Sequence, residues 1–364
     1  MLFLAGCATT PGSGEVTPPD WSPTAADAKP ALPTNLVPLL LLTKTNLPTV
    51  ATVNSPPLTV RSNPPPVLKP APFLTWTSFD HWAAENKIGA LRRLSGGPTT
   101  RFYLEAKNGL LVLEIGSREA IWRGMEIHLG FAPEVIDGQI FVHGLDLEKN
   151  LVPLILGPPL TFGTNRVIIL DPGHGGIAGG TISVLDKRPE KEFTLDWARR
   201  LKPLLEQHGW QVYLTRTNDM DIALSNRVNF AEAHHADLFV SLHFNSAAPD
   251  KRQSGLETYC LTPVGMPSTL TRGYPDFWSQ VFPNNRYDRG NLQLAVQLHS
   301  ALLHASGGED RGVRRARFMG VLHGPPCPAV LIEGGFLSNA REAEKIASGA
   351  FRQKLAEAVA NALK

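Results

Sequence analysis

The sequence predicts an α/β protein with an open, twisted, mostly parallel sheet of about six strands flanked by helices. From Arg166 onward, short apolar segments alternate with segments of helical periodicity, which is typical of such sheets. The first apolar segment, Val167-Ile168-Ile169-Leu170, has no polar interruption. A strand that is apolar throughout is typical of a sheet covered on both faces. We therefore place an α/β domain at residues 164–364.

The elements of this domain follow from its apolar spacing. Six strands are predicted, at Val167–Leu170, Gln211–Arg216, Leu238–Phe244, Gly255–Leu261, Phe318–His323 and Ala329–Glu333. Three helices are predicted, at Phe193–Gln207, Asn291–Ala305 and Arg341–Leu363. The chain is therefore expected to end in a helix that packs on the sheet.

Residues 73–158 predict a small α+β domain that precedes the larger one. A helix is expected at Phe79–Lys87, and strands are expected at Thr100–Ala106, Leu110–Ile115, Ala120–Leu129 and Gln139–His143. The stretches 121–124 and 135–142 resemble the small repeat domain named after the N-terminal domain of copper amine oxidases. The sequence shows no cluster of histidines and acids here, so a structural or targeting role is expected.

The N-terminal residues predict a tether. Residues 8–72 are dense in proline, threonine and serine, which is typical of an extended linker. Residues 1–7 end in Leu4-Ala5-Gly6-Cys7, which resembles the lipobox of bacterial lipoproteins and implies a lipid anchor through Cys7 in the outer membrane. Only six residues precede Cys7, too few for a secretory signal. Either the true start lies upstream or the match is due to chance.

Composition and charge exclude some classes of function. The 364 residues are 43% hydrophobic and 19% charged, with a formal net charge of +2. A chain so close to neutrality lacks the positive charge that neutralises phosphates, so no nucleic-acid partner is expected. Cys7, Cys260 and Cys327 form no Cys-x-x-Cys pair, so a metal would need nitrogen and oxygen ligands. Spacing does not decide whether Cys260 and Cys327 form a disulfide.

Two histidines lie at the ends of predicted strands. His174 follows the first strand in Asp171-Pro172-Gly173-His174-Gly175-Gly176, and His243 lies near the end of another strand. Ligands of open α/β sheets bind at the carboxyl ends of strands, so the two imidazoles are expected to converge. Either histidine alone would be interpreted as an ordinary buried residue. Together with a carboxylate, they form the ligand set that is common in hydrolytic zinc sites.

Carboxylates are available for the remaining roles. Glu190 and Glu192 begin the helix after the first strand, where the helix dipole favours an acid, and spacing does not choose between them as the third ligand. Glu333 ends the last apolar strand, where an unpaired acid is costly to bury. That position suits a general acid/base, although a capping or salt-bridged acid would have the same pattern.

These residues belong to a set of motifs that, in this order, resembles the zinc N-acetylmuramoyl-L-alanine amidases of the type 3 family. The motifs cover about half of the chain: Val167–Gly176, Glu190-Lys191, Leu214–Arg216 with Asp219, Leu224 with Arg227, Ala236–Asn245, Gly255–Tyr259, Arg311–Val313 and Pro328–Asn339. The resemblance implies that His174, Glu190 and His243 bind zinc and that Glu333 is the catalytic acid/base. It prefers Glu190 to Glu192, because the ligand of the family directly precedes a lysine.

The chain departs from the family in three places that concern the substrate pocket. Phe244 replaces a small residue, Glu232 stands where asparagine is common, and the loop from Ile177 to Arg188 lacks an Asp-Pro-Gly-Ala run. An insertion at residues 262–289 lies where some relatives carry a helix that blocks the zinc until an activator protein withdraws it. A passive loop or a lip that contacts peptidoglycan is favoured here, because the insertion offers few acids that could occupy the metal.

The resemblance implies hydrolysis of the amide bond between N-acetylmuramic acid and L-alanine in peptidoglycan, in the periplasm of the cell envelope. A zinc peptidase that cuts within the stem peptide is an alternative with the same metal. A third interpretation is a peptidoglycan-binding module without catalytic activity.

Overall fold

The computed structural model describes residues 75–94, 99–162 and 165–364. The predicted lipobox at 1–7 and the predicted linker at 8–72 lie outside these ranges. Residues 72–364 form one compact unit. No helix among the described residues is long and apolar enough to cross a membrane.

The N-terminal segment is built from short strands and two helical elements. The strands are β1 (Trp76–Ser78), β2 (Arg92–Leu94), β3 (Arg101–Ala106), β4 (Gly109–Glu114), β5 (Glu119–Trp122), β6 (Met125–His128), β7 (Glu134–Ile136) and β8 (Gln139–His143). The helices are α1 (Phe79–Glu85) and α2 (Gly144–Asp146), and α2 continues as the π-helical segment Leu147–Leu156. The prediction of a single strand at Ala120–Leu129 is wrong, because the chain reverses at Arg123-Gly124, where both φ angles are positive.

The C-terminal segment supplies the strands and helices of the predicted α/β layer. The strands are β9 (Val167–Pro172), β10 (Gln211–Leu214), β11 (Leu238–Asn245), β12 (Leu256–Leu261), β13 (Asp310–Ala316) and β14 (Ala329–Phe336). The helices are α3 (Glu190–Gln207), α4 (Leu224–Ala233), α5 (Asp288–Ser306), α6 (Ala340–Ala347) and α7 (Gly349–Ala362). Every residue of β9, β11 and β14 is buried, as expected for strands covered on both faces.

Two predictions for this segment are wrong. Phe318–His323 is not a strand but contains a short 3-10 helix at Gly320–Leu322, and the sixth strand is β13, whose charged residues hid it from a pattern based on apolar runs. The single helix predicted at Arg341–Leu363 is two helices, because Ser348 is extended, with φ −73° and ψ 123°.

The strands of both segments join in one sheet of 11 strands. Its order is β10-β9-β11-β14-β12-β13-β6-β5-β4-β3-β2, and a separate antiparallel sheet has the order β1-β8-β7. Among the six C-terminal strands only β12 and β14 pair antiparallel, which agrees with the predicted mostly parallel sheet. The two segments meet where Val313 of β13 pairs with Ile127 of β6. The predicted segments 73–158 and 164–364 therefore share a sheet.

Strand register brings the sequence-predicted site residues to one end of the sheet. β11 lies between β9 and β14, with Leu242 opposite Pro172 and His243 opposite Glu333. The turn that carries His174 leaves the end of β9. All of these residues lie at the carboxyl ends of parallel strands, the edge at which ligands of such sheets bind.

Candidate metal centre

The turn after β9 holds His174 against the neighbouring strand. The backbone N–H of Gly173 donates to the Leu242 carbonyl at 3.0 Å, and His174 has a left-handed φ of 61°. A Cβ atom on Gly173 would lie 2.2 Å from the His243 ring. Glycine is therefore required here, since it alone lets the turn approach the ring of the second histidine.

The three side chains predicted to hold a metal converge in the structure. His174 Nε2 lies 3.1 Å from Glu190 Oε2, and His243 Nδ1 lies 2.8 Å from Glu190 Oε1. The two imidazole rings are 4.9 Å apart between centroids and are nearly perpendicular. One ligand atom from each residue lies within 4.8 Å of the other two. Residues that are 69 positions apart in the chain thus form one cluster.

The structure places Glu190, and not Glu192, in this cluster. Glu190 is the first residue of α3 and is buried, whereas Glu192 is exposed. The carboxylate of Glu190 accepts hydrogen bonds from the backbone N–H of Thr181 and of Phe244, both at 3.1 Å. These two bonds hold the carboxylate between the imidazoles, so its orientation does not depend on the histidines alone.

The electrostatics of the cluster suit a divalent cation. Burial would raise the pKa of Glu190, but the imidazoles of His174 and His243 outweigh this and lower it, so the carboxylate stays ionised. Burial lowers the pKa of His243, which favours the neutral imidazole that binds metals. A tetrahedral ion with ligand bonds of about 2.0–2.1 Å needs ligand atoms roughly 3.4 Å apart, and one ligand atom from each residue here lies within 4.8 Å of the other two. The residues therefore fit zinc.

Glu333 lies beside the cluster on β14 and is buried. Burial raises its pKa well above the usual value, the charges of Glu190 and Glu257 add to this, and Arg272 opposes it. Its Oε2 atom has no hydrogen-bond partner among the described residues. A buried carboxylate oxygen without a partner is costly for folding.

A buried ionic network lies below the cluster and was not assigned from the sequence. Asp171 accepts hydrogen bonds from Thr215 Oγ1 at 2.6 Å, Ser241 Oγ at 2.7 Å and Arg227 Nη1 at 2.6 Å. Arg227 Nη2 also donates to the His174 carbonyl at 2.9 Å, so the network supports the turn that carries this histidine. The sequence signal that could have revealed this network is a polar residue inside or directly after an otherwise apolar strand, as at Asp171 and Ser241.

Replacing Arg227 with methionine is expected to lower the free energy of unfolding by about 3–5 kcal/mol, because Asp171 would remain as an unpaired buried charge. Urea denaturation measures the loss. Arg199→Met is the matched control, since Arg199 is exposed and donates to the Thr217 carbonyl at the surface. The control is expected to change stability by no more than about 0.5 kcal/mol. Equal losses in the two variants would contradict this account of Arg227.

A second group of possible ligands lies in the N-terminal segment, where the sequence showed no cluster. Cross-strand pairing places Glu119 opposite His128, and Glu126 Oε1 lies 3.3 Å from His128 Nε2. One ligand atom from each of the three lies within 4.8 Å of the others. Glu119 is exposed, and the pKa of His128 falls to about 4 through burial and the nearby charge of Arg314. A cationic neighbour makes this group a poorer cation site than the first.

Two further histidines and two cysteines make contacts within the protein, away from the cluster. His299 is fully buried and bonds Thr258 Oγ1 and Asp310 Oδ1, and His323 bonds the Arg317 carbonyl. Cys260 and Cys327 are both buried free thiols, so the disulfide left open by the sequence is not formed in this structure.

An open α/β sheet with two imidazoles and a carboxylate at its strand ends defines a protein with a candidate hydrolytic metal site. The family described as N-acetylmuramoyl-L-alanine amidase matches residues 168–364, which is more than half of the chain. The chain belongs to this family.

Named relatives are similar to more than half of the chain. The amidase AmiC of Escherichia coli strain CFT073 is 34% identical over 243 residues, covering 60% of this chain and 58% of AmiC. The amidase AmiA of Salmonella typhimurium is 32% identical over 222 residues, covering 55% of this chain and 76% of AmiA. The solved catalytic domain of the amidase CwlV from Bacillus (Paenibacillus) polymyxa is 29% identical, with a TM-score of 0.45, covering 54% of this chain and 96% of that domain.

Proposed function

We propose that this chain is a zinc-dependent enzyme that hydrolyses the amide bond between N-acetylmuramic acid and L-alanine in peptidoglycan. The observation that carries the proposal is the cluster of His174, Glu190 and His243 beside the buried Glu333, in a chain of the amidase family. In this proposal the first three residues hold zinc and Glu333 is the catalytic acid/base. Zinc, when bound, polarises the scissile carbonyl and lowers the pKa of water to about 7.

In this proposal, side chains of the protein carry out the proton transfers and hold the ligand set in place. Glu333 first acts as a general base and takes a proton from the attacking water. It then acts as a general acid and passes this proton to the nitrogen of the departing L-alanine. Burial raises the pKa of Glu333, which favours holding the proton between these two transfers. The backbone bonds to Glu190 and the Arg227 bond below His174 keep the ligand set in place during the reaction.

Digestion of purified sacculi tests the proposal. The protein is expected to release stem peptides, to lose this activity with a chelator, and to regain it when zinc is added back. Release that continues unchanged in the chelator, or no release at all, would count against the proposal.

Mass spectrometry of the products separates the competing interpretations. An amidase yields glycan strands free of peptide, whereas a zinc peptidase that cuts within the stem leaves the first residue attached to the sugar. A binding module without catalytic activity sediments with the sacculi and yields neither product. Metal analysis of the same preparation reports whether zinc is bound.

We further propose that the protein acts outside the cytoplasm, where peptidoglycan lies, and that Cys7 carries a lipid anchor in the outer membrane. The lipobox-like residues support the anchor. Mass analysis of the N-terminal peptide from membrane fractions tests it, and an unmodified peptide from a soluble fraction would overturn it. The same digestion of sacculi with purified protein alone tests whether an activator protein is required.

A further inference from the structure

The insertion at residues 262–289 is fixed to the rest of the protein by buried polar contacts. Arg317 Nη1 lies 2.6 Å from Asp276 Oδ1, and the other oxygen of Asp276 accepts the backbone N–H of Ser268 at 2.7 Å. The backbone N–H of Thr269 donates to the Arg315 carbonyl at 2.8 Å, and the Arg315 N–H donates back to Thr269 Oγ1 at 3.0 Å. These contacts attach the insertion to the end of β13, so it packs against the sheet.

Both acids of the insertion are engaged away from the candidate metal centre. Asp276 pairs with Arg317, and Asp288 lies 3.3 Å from Lys149 Nζ and 3.1 Å from Asn285 Nδ2. Neither carboxylate is in the cluster of His174, Glu190 and His243. This agrees with the expectation that the insertion does not occupy the metal site as an acidic plug.

One cationic residue of the insertion does reach the site. Arg272 Nη2 donates to Asn245 Oδ1 at 3.0 Å, and its guanidinium lies over the Phe318 ring, 5.6 Å from the centroid. Asn245 is two residues beyond His243 and is buried, and its Nδ2 donates to Glu257 Oε2 at 2.8 Å. The backbone N–H of Ser246 donates to the same Oδ1 atom at 2.8 Å, so Arg272 is one of two donors that orient the Asn245 amide at the end of the strand that carries a metal ligand.

The contact of Arg272 with Asn245 continues to a carboxylate that lies opposite the proposed acid/base. Strand register places Glu257 opposite Glu333, so two carboxylates project from neighbouring strands at this point. Glu257 has its own cation, since Arg311 Nε lies 2.8 Å from Glu257 Oε1. Arg272 is thus linked through Asn245 and Glu257 to the strand position opposite Glu333.

We propose that Arg272 is a positioning residue of the amidase reaction, which the insertion holds in place so that it orients Asn245 between the strand of His243 and the Glu257 carboxylate opposite Glu333. The inference depends on the proposed function. According to this inference, the insertion takes part in the reaction. It is then neither a segment that blocks the metal site nor a passive loop.

Steady-state kinetics on a soluble muropeptide test the role of Arg272. Arg272→Gln is expected to lower kcat by about 10- to 100-fold, because loss of precise placement has effects of this size. KM is expected to stay within about threefold, as the residue acts on placement and not on uniform binding. Arg272→Lys keeps the charge but not the planar donors, so its kcat is expected to lie between those of Arg272→Gln and the wild type.

A matched control and a stability measurement exclude a purely structural role. Arg286 belongs to the same insertion, is exposed and stacks on Tyr287 at 5.5 Å, so Arg286→Gln is expected to leave kcat unchanged. Bound zinc and Tm are expected to be those of the wild type in every variant. The inference is overturned if Arg272→Gln has the wild-type kcat, or if its loss of kcat accompanies an equal loss of zinc or a fall in Tm.

A double-mutant cycle with Asn245→Ala tests whether Arg272 acts through Asn245. Arg272→Gln is expected to add little once Asn245→Ala has been made, because the contact through which Arg272 acts is then already absent; Asn245→Ala alone is expected to cost more, since it also removes the bond to Glu257. Fully additive losses would overturn this part of the inference. If the wild type cleaves the muropeptide and Arg272→Gln has the same kcat, the inference alone is rejected. If the wild type itself is inactive, the proposed function is rejected as well.

Discussion

Replacing Glu333 with glutamine is expected to lower kcat for stem-peptide release by about 10²- to 10⁴-fold, with zinc content unchanged. Glutamine has nearly the same shape but cannot take a proton from water and pass it to the leaving nitrogen. Because Glu333 Oε2 has no hydrogen-bond partner among the described residues, the amide breaks no bond at that atom. The loss should therefore appear in the chemical step.

The measurement compares Glu333→Gln with Glu344→Gln on the same muropeptide. Glu344 is exposed on α6, so its substitution is expected to leave kcat unchanged. Metal analysis and Tm of both variants show whether the fold and the bound zinc are retained. A Glu333→Gln protein with more than about a tenth of the wild-type kcat would contradict the assignment of Glu333 as general acid/base.

Replacing Glu190 with glutamine is expected to abolish tight zinc binding and, with it, activity. The side chain carries the only negative charge in the ligand set and lies between the two imidazoles. Its loss is expected to weaken zinc binding by more than the roughly 10- to 100-fold that removal of an outer-shell partner costs. Competition with a fluorescent chelator measures the affinity, and added zinc at high concentration is expected to recover part of the activity.

Glu192→Gln provides the matched control for this prediction. Glu192 lies two residues further along the same helix and is exposed, so its loss is expected to change neither zinc affinity nor kcat. Equal zinc affinity in the two variants would reject Glu190 as a ligand. The pair also tests directly the choice that sequence spacing left open.

Much of the site geometry could be predicted because it depends on strand ends. His174 and His243 each follow an apolar run, and parallel strands bring such positions together whatever their distance in the chain. The choice of Glu190 depends on helix rotation: α3 turns its first residue toward the sheet and Glu192 toward solvent. The two acids are the first and third residues of the same helical turn, so their spacing in the sequence does not show which of them faces the sheet.

The missed strand β13 and the missed residue Arg272 depend on contacts that are remote in the chain. Strand β13 contains Arg311, Arg314 and Arg315, so no apolar run marks it, and its place depends on β12 and β6. Arg315 is buried because its guanidinium bonds the Leu261 carbonyl and Asn150 Oδ1, partners that are remote in the chain. Arg272 was missed for the same reason, since its contact with Asn245 spans 27 positions.

The pairing of β13 with β6 removes one of the two open borders that the C-terminal half of the sheet would otherwise have, and β10 remains as the other. Without the N-terminal segment, β13 would present unpaired N–H and C=O groups at an open border, which invites addition of a strand from another molecule. The antiparallel strands β2–β6 move that border away from His174, His243 and Glu333. They end it at β2, a three-residue strand with two arginines, and a short charged strand is a poor template for aggregation.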